Sequence, residues 1–179
     1  METTLEAPEH RYADELSSLF YSFRLAQLNR RYYSARLSKL KRLDTAFSIV
    51  VAVSTATSFA VLSFADFPYV KTIAAIFAIV AFLFSVASPA LNLNRKIDET
   101  SARACAFHYA AQQLESAIRF VKNSDGQDGE VAGWVHSAQE AYNQAAALPD
   151  TNVEDRQLLR KVEDEINESF PSSYVWTAF

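Results

Sequence analysis

Two stretches decide the fold of this chain: TAFSIVVAVSTATSFAVLSFA at residues 45–65 and TIAAIFAIVAFLFSVASPALNLN at residues 72–94. Neither contains an Asp, Glu, Lys, Arg or His residue. An α-helix rises about 1.5 Å per residue and the hydrocarbon core of a bilayer is about 30 Å thick, so each stretch can just cross a membrane. Because only residues 66–71 separate them, the sequence predicts a transmembrane helical hairpin. The alternative is a pair of buried helices in a soluble bundle, which is uncommon for chargeless stretches flanked by basic residues.

Glycine and proline are distributed as in an all-α protein. No glycine precedes Gly126, and the five prolines stand at positions 8, 68, 89, 149 and 171. Turns and strand bends depend on these residues, so their scarcity favours long helices, including one unbroken helix between Pro8 and Pro68. We expect Pro89 to kink the second span or to steer the chain into the next helix. The chain then divides into a cytosolic helix at 1–44, the hairpin at 45–96 and a cytosolic helical region at 97–179.

The cytosolic segments are predicted to be amphipathic helices. Helices are expected at 97–123 and 130–147, and at 153–169 with Asn152 as its cap and charge on most of its faces. Apolar residues recur at spacings of three and four along two seams, which we expect to hold subunits of an oligomer together. The seams are Tyr12, Leu16, Leu19, Phe23, Ala26, Tyr33, Leu37 and Leu40, and Phe107, Ala111, Leu114, Ile118 and Val121.

A basic collar precedes the first uncharged stretch. We expect six of its side chains to contact anionic lipid headgroups: Arg30, Arg31, Arg36, Lys39, Lys41 and Arg42. Basic flanks stay on the cytoplasmic side, so the sequence predicts a multi-pass membrane protein with both termini in the cytoplasm. Read alone, the collar also resembles an RNA-binding stretch, which would show steeply salt-dependent binding. Beside a membrane span, lipid is the simpler partner, and no nucleic acid is expected.

Small residues form a stripe along each predicted span. The candidate pore or helix-interface positions are Ser48, Ala52, Thr55 and Ser58 in the first span, and Ala74, Ala78, Ala81, Ser85 and Ser88 in the second. Small faces let helix backbones approach closely, and hydroxyl groups can form hydrogen bonds across the gap. Packing between the two helices of one hairpin is the favoured interpretation. Pore lining is the alternative, and it requires several subunits because two helices cannot enclose a water path.

The sequence offers no constellation of catalytic or cofactor-binding residues. Its one cysteine, Cys105, shares a predicted helix face with His108 and Gln112, which is too few ligands for a structural zinc site. It contains no glycine-rich phosphate loop, nucleophile elbow or HExxH pattern. We therefore expect a protein that is not an enzyme and that binds no cofactor.

The layout resembles the SLATT family of bacterial two-transmembrane effector modules. The resemblance covers about residues 15–148 and rests on four features in order. They are the basic tract RRYYSAR at 30–36 followed by KRLD at 41–44, a tight hairpin, the exit SPAL at 88–91, and NRK at 94–96 leading into a cytosolic helix. The aromatic tail at 170–179 lies outside it.

The resemblance implies a cell-suicide effector of antiviral defence, that is, abortive infection. A sensor protein or a nucleotide-signalling enzyme would detect infection, and the effector would then assemble as a homo-oligomer and breach the inner membrane. The resemblance brings no catalytic residues. A non-conducting, membrane-anchored oligomeric scaffold that recruits a cytosolic partner is the alternative. The acidic cytosolic helices offer little attraction to an anionic nucleotide, so direct nucleotide sensing is not expected.

Overall fold

The computed structural model describes residues 12–63, 68–90, 92–124, 128–150 and 153–171. Within its helices, the side chains at 55, 57–63, 68, 70, 71, 74, 85–90 and 128 are not among those described. The described residues contain helices and no strand, which confirms the all-α prediction. The helices are α1 (Ala13–Ser63), α2 (Pro68–Ala90), α3 (Leu93–Asn123), α4 (Asp128–Ala147) and α5 (Arg156–Ser169).

Helix α1 is one continuous helix of 51 residues, as the absence of glycine and proline predicts. Contacts divide the chain into two compact units, and α1 contributes to both. Unit 1 comprises Met1–Arg36 and Glu99–Phe179, and unit 2 comprises Leu37–Asp98. The two segments predicted to be cytosolic, 1–44 and 97–179, therefore belong largely to unit 1, because the start of α1 packs against the C-terminal helices.

Unit 1 is built around two adjoining apolar clusters. In the first, Leu19 and Phe23 of α1 meet Leu114 and Ile118 of α3, with Val131 of α4 closing the cluster. In the second, the same helices continue toward Tyr33 and Phe107, and α5 joins them through three buried residues, Leu158, Val162 and Ile166. Burial of each large apolar side chain contributes about 1.5–3 kcal/mol, so these clusters are the main source of stability of unit 1.

The two seams predicted to join subunits lie inside this core. Leu16, Leu19, Phe23, Ala26 and Tyr33 of the first seam are buried, and so are all five residues of the second. They pack within one chain. The prediction that these buried residues hold subunits together is therefore wrong, since amphipathic periodicity alone does not distinguish a neighbouring helix from a neighbouring subunit.

Helix α5 begins later and is more amphipathic than the sequence suggests. Its cap is Asp155, whose side chain accepts a hydrogen bond of 3.0 Å from the backbone N–H of Leu158. The prediction of a helix that starts at Val153 is wrong, and the predicted cap, Asn152, lies outside the described residues. The apolar positions 158, 162 and 166 recur every four residues and form one buried face on an otherwise charged helix.

In unit 2 the later part of α1 and α2 run antiparallel as a helical hairpin. The connection between Ser63 and Pro68 is short, and the rings of Phe47 and Phe84 meet edge to face at a centroid distance of 5.1 Å. These two residues lie almost equally far from the connection, as antiparallel helices require. Among the described residues, no helix is long and apolar enough to cross a membrane.

Helix α2 ends at Ala90, earlier than the predicted end of the second span at Asn94. Asn92 has φ 48°, in the left-handed region that asparagine tolerates better than most residues. Its carbonyl accepts a 3.0 Å hydrogen bond from the N–H of Lys96 and so begins α3. Two separate helices thus follow one another here. The role expected for Pro89 stays a prediction, because its side chain lies outside the described residues. The other helices match the predicted extents to within four residues.

Candidate functional site

The outer surface of the hairpin in unit 2 is strongly apolar. Five large side chains of α2 are between 49% and 67% exposed: Ile73, Ile76, Ile79, Phe82 and Leu83. Leu43, Ile49 and Val53 of α1 are about half exposed. The positions on α2 follow helical spacing, so they form a continuous stripe on one side of the helix. Soluble monomers rarely expose apolar patches this extensive, and such patches mark surfaces that bind lipid or protein.

Where the structure describes them, the small residues of the two predicted stripes are largely exposed. Ser48 and Ala52 on α1 and Ala78 on α2 are exposed, and Ala81 is half buried. One described contact between the helices joins the rings of Phe47 and Phe84. Packing inside one hairpin is therefore the wrong interpretation for Ser48, Ala52 and Ala78. The side chains of Thr55, Ser58, Ala74, Ser85 and Ser88 lie outside the described residues.

The basic collar divides into two parts with different surroundings. Arg31 lies over the ring of Phe170, with its guanidinium carbon 5.6 Å from the ring centroid, and donates a hydrogen bond to Ser169 Oγ. Arg36 donates to the carbonyl of Val153 at 2.7 Å, and Arg30 donates to Gln27. The predicted headgroup contacts of Arg30, Arg31 and Arg36 thus compete with contacts inside unit 1. Lys39, Lys41 and Arg42 are exposed.

A polar cluster that the sequence does not predict joins α1, α3 and the segment after α4. Arg103 of α3 forms an ion pair of 3.4 Å with Asp150 and donates to the carbonyl oxygen of Pro149 at 3.1 Å. It also donates to the carbonyl of Leu148 and to the hydroxyl of Tyr33. We call this cluster the arginine node; its members are Arg103, Tyr33, Asp150 and the carbonyl groups of Leu148 and Pro149. One guanidinium, with its five N–H donors, thereby connects three parts of the chain.

Tyr33 is the member of the arginine node with the most perturbed acidity. Its hydroxyl donates a 2.8 Å hydrogen bond to Asp150 Oδ2, and its ring stacks on Phe107 and lies beneath Arg103. Burial, followed by the hydrogen bond and negative charge of Asp150, raises the pKa of Tyr33 to about 12, and Arg103 opposes part of this effect. The phenol is therefore a permanent hydrogen-bond donor at neutral pH, which suits a structural contact.

A second network lies beside the arginine node. The hydroxyl of Tyr32 accepts hydrogen bonds from the N–H of Asp155 at 3.0 Å and from Arg36 at 3.1 Å. The guanidinium carbon of Arg36 stands 5.8 Å from the centroid of the same ring. Tyr32 therefore fixes the start of α5 against α1. Tyr32 and Tyr33 lie within the sequence of the basic collar. They are 4% and 6% exposed and serve as packing residues.

Cys105 and His108 are exposed on α3. In the part of the chain that the structure describes, no group of three or more His, Cys, Asp or Glu residues is placed to hold a metal ion. No arrangement of nucleophile, base and orienting group emerges among the described contacts.

No family model matches the chain, and neither the curated proteins nor the solved structures include one significantly similar to it.

Proposed function

We propose that this protein is a membrane-embedded, oligomeric effector that breaches the bacterial inner membrane during antiviral defence. The observation that supports the proposal best is the apolar outer surface of the hairpin. Transfer of its large apolar side chains from water to lipid is favourable by about 25 cal/mol per Å² of apolar area. In this arrangement both termini lie in the cytoplasm.

The uncharged stretches supply the length that a bilayer requires. Residues 45–65 and 72–94 carry no ionisable side chain, and parts of both stretches lie outside the described residues. The exposed basic residues Lys39, Lys41 and Arg42 directly precede the first stretch and are placed in sequence to contact anionic headgroups, at about 1 kcal/mol each. The resemblance to SLATT modules assigns such a hairpin to membrane breach.

The exposed small residues supply the contact between subunits in this proposal. Since Ser48, Ala52 and Ala78 are not covered by the partner helix of the hairpin, they are free to meet other hairpins or to line a water path. Small side chains permit close helix contact in lipid, where packing drives association. Activation by a sensor protein or a nucleotide-signalling enzyme would change how the subunits assemble.

Dye release from anionic liposomes tests this function. Protein is reconstituted at rising density, and its oligomer is measured by mass in detergent. Ser48→Leu and Ala78→Leu should insert as the wild type does but reduce leakage, because leucine fills a small-residue contact. Ile79→Leu, which keeps a large apolar side chain at an exposed position, should leak normally.

Two results would contradict the pore. Inserted oligomers that retain the dye at every density would favour the non-conducting scaffold. A monomer in detergent and in lipid would exclude a pore of any subunit number, because one hairpin cannot surround water.

A further inference from the structure

A groove runs between α1 and α5 on the surface of unit 1. Two openings of about 380 and 300 Å³ adjoin along it, since both have Leu25, Leu28 and Glu163 in their walls. Helix α1 lines it from Tyr21 to Tyr33, a separation of 12 residues that corresponds to a rise of about 18 Å. We call this feature the α1/α5 groove. Its length matches about three turns of a docked helix.

The floor of the α1/α5 groove is apolar and incompletely covered. Leu25, Leu28 and Leu159 are half buried along it, and Tyr21 at one end is 64% exposed. Each position lies on the margin of the apolar core, where a further layer of side chains would remove it from water. An apolar face on an incoming helix would provide that layer.

Two carboxylates in the wall of the groove lack a counter-charge. Glu154 and Glu163 form no ion pair or hydrogen bond with any described residue, whereas Asp150 is held by Arg103. The one basic residue in the wall is Arg24, which donates a 2.7 Å hydrogen bond to Asn167 Oδ1. The groove therefore combines an apolar floor with two carboxylates that lack a counter-charge, which favours a cationic occupant.

We propose that the α1/α5 groove binds a basic amphipathic helix of a partner protein. Leucine-like residues of that helix would cover Tyr21 and Leu25, and its Lys or Arg residues would pair with Glu154 and Glu163. Charge complementarity favours this occupant over a neutral or acidic helix.

Fluorescence anisotropy with a synthetic peptide tests the proposal. The full chain in phosphatidylcholine nanodiscs is titrated into a labelled peptide of about 14 residues, with Leu on one helical face and Lys beside it. Saturable binding should weaken about tenfold with Glu163→Lys, the loss expected when an attractive charge becomes repulsive. Tyr21→Ala should also weaken it. Glu168→Lys, at an exposed position of α5 that does not line the groove, should change it less than about twofold.

Three results would overturn the proposal. They are equal binding of a matched Leu/Glu peptide, equal losses with Glu163→Lys and Glu168→Lys, and binding to empty nanodiscs that accounts for the whole signal. Helicity measured by circular dichroism establishes that each variant is folded. Because no leakage is measured, failure of groove binding is distinguishable from failure of the pore.

Discussion

Replacement of Arg103 with methionine probes how strongly the arginine node stabilises unit 1. Methionine keeps most of the apolar stem but removes the guanidinium. The ion pair with Asp150 at 3.4 Å and the hydrogen bond to the Pro149 carbonyl at 3.1 Å are lost together with the contacts to Tyr33 and Leu148. Asp150 then keeps its hydrogen bond from Tyr33 but loses the guanidinium of Arg103.

The expected cost follows from burial. The side chain of Arg103 is 12% exposed and that of Asp150 is 23% exposed. In the variant, water can therefore hydrate the carboxylate of Asp150 only in part. Removal of one partner from a buried ion pair costs about 3–5 kcal/mol, and partial exposure of Asp150 places this case near 3 kcal/mol. For a chain of this size, each kcal/mol lowers the unfolding midpoint by about 2–4 °C, which predicts a fall of about 6–12 °C.

Thermal unfolding followed by circular dichroism at 222 nm measures this shift. Arg119→Met is the matched control, since Arg119 pairs with Glu115 on the same helix but the two side chains are 64% and 36% exposed. Such a surface pair contributes less than about 1 kcal/mol, so the control midpoint should move by no more than a few degrees. If both variants shift the midpoint equally, the node contributes no more than an ordinary surface ion pair and the reasoning is refuted.

The raised pKa of Tyr33 predicts alkaline sensitivity: the unfolded phenol ionises near pH 10 and the folded one near 12, so stability present below pH 10 falls as pH rises through this window. Unfolding of Tyr33→Phe between pH 9 and 12 should show a shallower loss, and equal slopes for both proteins would contradict the assignment. Asp155→Ala removes the cap of α5 and should cost about 0.5–2 kcal/mol in denaturant unfolding, whereas Asp164→Ala, at an exposed position within the helix, should cost less. Equal losses from the two alanine variants would show that the hydrogen bond to Leu158 does not stabilise the helix.

The helices of this protein are well predicted because glycine, proline and capping residues act on the backbone of their immediate neighbours in sequence. The absence of glycine and proline over about fifty residues is sufficient to specify α1, and Pro149 correctly marks the end of α4. The errors arise where two signals compete. Asn152 and Asp155 are both good caps, and only the tertiary contact of the Asp155 N–H with Tyr32 identifies which one begins the helix.

The candidate site was less predictable because it depends on which surfaces meet. Arg103 stands in an ordinary amphipathic helix, and no spacing in the sequence connects it to Asp150, 47 positions further along the chain. The seam around Leu114 has the same periodicity whether its neighbour is α1 or another subunit. Ser48 and Ala52 likewise suggest close packing but are exposed, while Phe47, the neighbour of Ser48, contacts Phe84.

Asn92 stands directly before α3 with φ 48°, in the left-handed region of the backbone. In this conformation the Cβ of most residues comes too close to the following carbonyl oxygen, at a cost of about 1–2 kcal/mol, and asparagine offsets part of that cost through local hydrogen bonds of its side chain. A β-branched residue at position 92 would therefore strain the start of α3, whereas glycine would be accommodated.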